Sequence, residues 1–142
     1  MKQIYEKIIE LQSSGKRAAL VTVIMASGST PRETGAKMIV EADKSLTGTI
    51  GGGPVEALVI ENAIEVINSQ TPKIVEYNLD DEMKKSTGMI CGGNMQFFIE
   101  PLVTRPNLYI FGAGHIALPL FEICRLIGFN ITVIDDRKKY AS

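Results

Sequence analysis

The stretch that decides the fold of the C-terminal part is Leu108-Tyr109-Ile110-Phe111-Gly112-Ala113-Gly114-His115-Ile116-Ala117. Its first four residues are apolar and predict a short buried strand. Gly112, Gly114 and Ala117 then form the Gly-x-Gly-x-x-Ala pattern that is typical of a strand turning into a helix. The first glycine permits the tight turn, the second allows close approach of a ligand, and the alanine lets the helix pack on the strand.

The residues after this turn complete a β-α-β pattern. We predict a helix that runs to about Ile127, where Gly128 ends it, and a buried strand over 131–134 that leads into Asp135. Such a unit is typical of the start of a Rossmann-like, dinucleotide-binding fold. The glycine turn would hold a pyrophosphate at the helix N-terminus, and Asp135 would accept hydrogen bonds from a ribose. The alternative is a turn that serves packing alone.

His115 lies inside the same turn. It could contact phosphate, act as an acid or base, or be an ordinary residue of the first helical turn. The chain stops after the second strand, and two strands leave unpaired edges. We therefore expect either a truncated product or a sheet shared between two copies, and the second option predicts a homodimer.

Upstream, the sequence predicts a mixed α/β domain over residues 1–103, followed by the incomplete Rossmann-like unit over 104–142. Apolar periodicity predicts its helices and strands. We expect helices over 2–14 and 55–68, strands over 18–25, 37–41, 46–50, 74–79 and 95–100, and a linker over 101–106. The fold class is therefore α/β.

A second glycine turn, Gly51-Gly52-Gly53, precedes the helix over 55–68. Three consecutive glycines cost backbone entropy, so we expect this turn to bind an anion through its N–H groups. Glu56 suits the first turn of the helix dipole but would repel a bound anion if it pointed inward. The alternative is a strand-to-helix turn that glycine makes compact.

Three side chains outside the glycine turns are further candidates. Arg32 could hold phosphate or carboxylate with two hydrogen bonds, and Lys37 could add a second cation; either could equally be solvated. Cys91 is flanked by Ile90 and two glycines, so its thiolate could reach a ligand, a metal or a persulfide sulfur. The alternative for Cys91 is a small buried apolar residue.

Composition narrows the class of protein. The 142 residues are 45% hydrophobic and 22% charged with a net charge of −1, which is typical of a soluble globular protein. No basic patch indicates nucleic acid or an anionic membrane as a partner. No apolar run reaches the ~18–20 residues that span a bilayer, and no signal peptide is recognisable. We expect a cytoplasmic protein, without a disulfide framework.

Six motifs, taken in order, resemble the xanthine dehydrogenase accessory factor family (XdhC/CoxI), whose members serve molybdenum hydroxylases. The matching stretches are Ala19–Val23, Gly28–Arg32, Gly35–Met38, Gly48–Gly53 with Glu56, Gly88–Gly93, and Phe111–Ala117.

This resemblance implies an N-terminal α/β domain and a C-terminal Rossmann domain. It also implies that the protein binds the molybdenum cofactor (molybdopterin, a pterin with a dithiolene and a phosphate) and delivers it, sulfurated, to a hydroxylase such as xanthine dehydrogenase. Arg32 and the glycine turns would then hold the phosphate, and Cys91 would contact the molybdenum–sulfur end. Many members have a cysteine where this chain has Pro54.

Two other functions stay open. One is an enzyme that depends on a nucleotide or NAD(P) and uses the turn at Gly112, so that a dinucleotide is a second possible cofactor. The other is a structural subunit of a hydroxylase complex. The resemblance favours a maturation factor that has no catalytic residue of its own.

Overall fold

The structure, a computed structural model, describes residues 2–79, 93–102 and 105–140. Within these ranges the helices and strands follow one another in the order α1 Lys2–Ser14, β1 Ala18–Gly28, β2 Lys37–Glu41, β3 Leu46–Gly48, α2 Gly53–Ser69, β4 Lys73–Asn78, β5 Gly93–Leu102, β6 Asn107–Phe111, α3 Ala117–Leu126 and β7 Asn130–Ile134. A short 3-10 helix, Lys138–Tyr140, follows β7. None of the helices within these ranges has the length and apolar character that crossing a bilayer requires.

The first five strands form one antiparallel sheet in the order β3-β2-β1-β5-β4. β1 lies at its centre because this strand has apolar side chains on both of its faces. Val21 and Val23 point to one face and are fully buried, while Ala18 lies in the cluster on the other. This order brings the end of β1 beside the start of β5, where Gly28 pairs with Gly93.

α2 covers one face of this sheet. Its buried residues recur at helical spacing and pack against Val21 and Phe97 at the middle of β1 and β5. These residues are Val55, Val59, Ala63, Val66 and Ile67. The stripe fixes the direction of α2, so that its first turn lies near the loop that follows β1.

α1 packs on the opposite face. Ile4 and Leu11 lie one above the other on the helix and contact the cluster that includes Ile39. Lys7 donates to the buried Glu41 of β2 at 3.0 Å, which adds an ion pair to this contact. Gly15 ends the helix with φ +67, and its N–H donates to the carbonyl of Leu11.

β6 and β7 form a separate two-stranded parallel sheet, and α3 connects them. The predicted α/β class and the β-α-β pattern are therefore confirmed. The predicted boundary at residue 103 lies outside the described residues and stays a prediction.

Several predicted ends are wrong by a few residues. β5 continues to Leu102 and pairs with Ala18, so the linker predicted over 101–106 is shorter. β3 ends at Gly48, where φ of +81 breaks the extended backbone. α3 begins at Ala117 instead of at the glycine turn. Gly112 has φ +95, which a right-handed helix does not allow, and a separate turn over 114–116 precedes the helix, with the Ala117 N–H donating to the Gly114 carbonyl.

Candidate functional site

Two loops meet at the N-terminal end of α2, and Gly51 allows their contact. The φ of Gly51 is +136, and a Cβ at this position would lie 2.5 Å from Cγ of Pro31. A Cβ at Gly93 would likewise lie 2.7 Å from the carbonyl oxygen of Ser29. The loop after β1 therefore packs directly on the glycine turn and on the start of β5, and only glycine fits at either contact.

A carboxylate of the chain itself accepts two backbone donors at this turn. Glu56 Oε2 accepts the Thr49 hydroxyl at 2.6 Å and the N–H groups of Ile50 and Gly52 at 3.1 and 3.0 Å. The N–H of Gly51 donates to Thr49 Oγ1 at 3.1 Å. These three N–H groups therefore already have acceptors within the chain. That the Gly51-Gly52-Gly53 turn binds an anion from outside stays a prediction.

Partial burial by itself would raise the pKa of Glu56. The hydrogen bonds from Thr49 and from the N–H groups of Gly52 and Ile50 outweigh it, so that the pKa of Glu56 lies below its ordinary value of 4.5. Glu56 is thus a negative charge at neutral pH, placed where the dipole of α2 favours one. Thr49 had no role in the sequence-based prediction, although it lies within one of the quoted motifs.

A cavity of about 270 Å³ opens beside this turn. Apolar side chains and glycine backbone form most of its wall, and two hydroxyl-bearing residues complete it. The lining residues are Ser29, Thr30, Pro31, Gly51, Gly52, Gly53, Pro54, Val55 and Leu79. The predicted turn residues Gly51, Gly52 and Gly53 therefore line a cavity, although the first two have their N–H groups bound internally.

Arg32 lies just outside this cavity. It lines an adjoining cleft of about 540 Å³, whose wall shares Thr30 and Pro31 with the cavity. Its side chain is exposed, and within the described residues no carboxylate forms an ion pair with it. Arg32 is therefore a cation available to an anionic group that extends from the cavity.

Lys37 does not join this group. Its Nζ donates to Thr22 Oγ1 at 2.9 Å across the β1–β2 pair. Both side chains lie on the sheet face that α1 covers, opposite to α2, because they alternate with the buried Met38 and Val21. The structure therefore places Lys37 away from the cavity, and its contact with a cofactor stays a prediction.

Two backbone donors of the Gly112 turn are also bound within the chain. Asp135 Oδ2 accepts the Ala113 N–H at 2.7 Å, while Arg137 Nε and Nη2 donate to the two carboxylate oxygens at 2.9 and 2.8 Å. The Gly112 N–H donates to the carbonyl of Ile134. The hydrogen bonds from Arg137, then from Ala113, hold the pKa of Asp135 well below its usual range. The Asp135 carboxylate thus already has hydrogen-bond partners within the chain. Its hydrogen bond to a ribose stays a prediction.

Three predicted residues remain, namely Gly114, His115 and Cys91. Gly114 and His115 are exposed on the surface of the Gly112 turn. Cys91, the predicted thiol and metal ligand, lies outside the described residues. Among the residues that the structure describes, no group of three or more His, Cys, Asp or Glu could hold a metal ion.

Known proteins match the part of the chain that builds the cavity. The XdhC and CoxI family matches residues 11–78. "Uncharacterized protein YqeB" of Escherichia coli (strain K12) is 35% identical over 132 residues, which are 93% of this chain and 24% of YqeB. "Molybdenum cofactor insertion chaperone PaoD" of the same organism is 36% identical over 69 residues, which are 49% of this chain and 22% of PaoD.

The chain thus spans about a quarter of the length of these curated relatives. A solved structure from Bacillus halodurans, named as a xanthine dehydrogenase, superposes with a TM-score of 0.61 at 20% identity and covers 96% of this chain and 63% of that one. At this identity the likeness concerns the fold alone. The family predicted from the six motifs is confirmed over residues 11–78, the part of the chain that matches the XdhC and CoxI family.

Proposed function

We propose that this chain binds the molybdenum cofactor and delivers it to a molybdenum hydroxylase of the xanthine dehydrogenase type. The observation that carries the proposal is the cavity between the Ser29–Pro31 loop and the Gly51–Gly53 turn. Both loops lie within the segment that matches the family, and the relative PaoD is named as a molybdenum cofactor insertion chaperone. The cofactor is a cargo in this proposal, and the chain holds it without changing it.

Gly51→Ala tests the cavity. The new methyl group would overlap Pro31 and push the two loops apart, so we expect at least a tenfold loss of cofactor binding (about 1.4 kcal/mol). Gly128→Ala is the matched control, because Gly128 has φ +90 but open space where a Cβ would lie. Co-elution of released cofactor with the purified chain measures binding, and equal binding by both variants would contradict the assigned site.

Delivery needs a second assay. Cofactor-loaded chain should activate a cofactor-free hydroxylase faster than the same amount of free cofactor does. In this proposal Cys91 contacts the molybdenum–sulfur end, so Cys91→Ala should bind cofactor but deliver less of the sulfurated form. An unchanged yield of active hydroxylase with Cys91→Ala would remove that role.

The cellular setting is part of the proposal. A cytoplasmic homodimer would place two cavities in one assembly and would let β6 and β7 pair with a second copy. The exposed apolar side chains of this unit, such as Phe111 and Leu126, support such pairing. Light scattering that finds a monomer at micromolar concentration would exclude the dimer.

The alternative function is nucleotide binding at the Gly112 turn. The parallel pairing of β6 with β7 through α3 favours it, because this is the geometry of a dinucleotide-binding unit. Saturable binding of NADH without any pterin would support this alternative. Binding of the molybdenum cofactor without any binding of NADH would support the leading proposal.

A further inference from the structure

We infer that the cavity beside the Gly51–Gly53 turn receives the uncharged pterin ring of the cargo instead of its phosphate. Glu56 sets this orientation through its negative charge and by accepting the N–H groups of Ile50 and Gly52. The inference rests on the proposed function and concerns the same site. It reverses the usual expectation for a glycine turn before a helix, which is that phosphate binds there.

The first step is the state of the donors. A phosphate that approached the turn would have to replace the Glu56 carboxylate, which accepts three hydrogen bonds from Thr49, Ile50 and Gly52. Without that replacement, two negative groups would lie side by side in a partly buried place, which is unfavourable. Glu56 therefore acts as a specificity-determining residue for the turn.

The second step is the cavity wall. Pro31, Pro54, Val55 and Leu79 are apolar, and no charged residue is among the lining residues that the structure describes. A phosphate would lose hydration there without gaining a cation, whereas a flat neutral ring would contact proline and glycine backbone. The volume of about 270 Å³ is just below the range of drug-sized sites, so it suits a ring system instead of the whole cofactor.

The third step is the place of Arg32, which has no ion-pair partner among the residues that the structure describes. Arg32 follows Pro31 directly and lines the adjoining cleft. A ligand whose ring lies in the cavity can pass over Thr30 and Pro31 and present its phosphate to the Arg32 guanidinium, which can donate two parallel hydrogen bonds. Ring and phosphate would then occupy two different compartments that share one loop.

The test uses two small probes on the full chain. 6-Hydroxymethylpterin carries the ring without phosphate, and inorganic pyrophosphate carries the charge without a ring. In a ¹H–¹⁵N NMR titration we expect the pterin to shift the amides of Gly51–Gly53 and Val55. Pyrophosphate should shift the amide of Arg32 and leave that of Gly52 in place.

Two variants separate the roles. Arg32→Gln should weaken pyrophosphate binding roughly tenfold and leave pterin binding within about twofold. Glu56→Gln removes the competing charge, so pyrophosphate should now bind at the Gly52 amide at least roughly tenfold more tightly. Glu61→Gln, an exposed change on the same helix, is the control and should behave as the wild type.

Saturable binding of pyrophosphate at Gly51–Gly53 in the wild type would overturn the inference, and this titration does not depend on the folding of any variant. Co-elution of the cofactor without any pterin shift at the turn would also overturn it, while the proposed function would stand. Pterin shifts without cofactor co-elution would support the ring site and remove the proposed cargo.

Discussion

The Glu56 carboxylate accepts hydrogen bonds from three donors. Its removal should therefore lower the stability of the fold by leaving all three donors without an acceptor. Glu56→Ala leaves the N–H groups of Ile50 and Gly52 and the Thr49 hydroxyl without their acceptor in a partly buried turn. We expect the free energy of unfolding to fall by about 1–3 kcal/mol. Urea unfolding measures this, with Glu61→Ala as the exposed control; equal effects of the two changes would contradict the assigned role.

The same carboxylate predicts a pH dependence. Because the pKa of Glu56 is lower in the folded than in the unfolded chain, its ionised form stabilises the fold. That contribution is fully present above the unfolded value of 4.5 and is lost as pH falls below it through the folded pKa. The difference in unfolding free energy between wild type and Glu56→Gln should therefore shrink below pH 4.5. A difference that stays constant down to pH 3 would contradict this.

Single residues were only partly predictable from the sequence. The motif glycines were found, because few other residues permit the turns that they make. The acceptor at the Gly51–Gly53 turn was not predicted. Glu56 lies three residues after the turn, and its side chain can be placed against the turn only when the start of α2 is known. For Lys37, the alternation with Met38 in β2 already indicates the face of the sheet opposite to α2, where its side chain lies.

At the scale of helices and strands, the sequence pattern predicts how α1 packs on the sheet. Leu11 is fully buried against the sheet, whereas Ile9 of the same helix is 64% exposed. Leu11→Ala should lower the free energy of unfolding by about 2–5 kcal/mol, and Ile9→Ala should change it by under about 0.5 kcal/mol. Thermal and urea unfolding measure both, and similar losses would show that α1 does not pack as described.

Strongly periodic segments such as α1 and α2 were predicted almost to their ends, because amphipathic spacing marks the buried face. The ends of β5 and α3 were missed, since they depend on partners distant in sequence. Pro101 lies in β5 opposite Ala19, although a proline pair at this point reads as a linker. α3 starts only at Ala117, after the turn over 114–116 that follows Gly112, and the residue types in this turn do not specify that start.

At the scale of the whole molecule, the order of the strands in the sheet could not be predicted from the sequence pattern. β5 inserts between β1 and β4, and its pairing with β1 joins residues some 65–84 positions apart, such as Gly28 with Gly93 and Ala18 with Leu102. Periodicity identifies strands but does not select partners at that distance. The consequence for the site is direct, because this insertion brings Gly93 against Ser29.

The two sheets should differ in local stability. The five-stranded sheet buries Val21 and Phe97 completely between α1, α2 and its own strands. In the β6–α3–β7 unit, Phe111 is 79% and Leu126 is 80% exposed, and its most buried residues, such as Ile110, keep 8% of their surface. A two-stranded sheet with so little buried apolar surface opens at a small cost in free energy.

Amide hydrogen exchange measures this difference on the 142-residue chain. We expect hydrogen-bonded amides of β6 and β7 to exchange roughly 100-fold faster or more than those in the middle of β1 and β5. Raising the protein concentration should slow the exchange in β6 and β7 if a second copy covers them, as the proposed homodimer requires, and should leave β1 unchanged. Equal protection in both sheets at every concentration would show that they unfold as one unit, and the small β6–α3–β7 core would then need a source of stability other than pairing with a second chain.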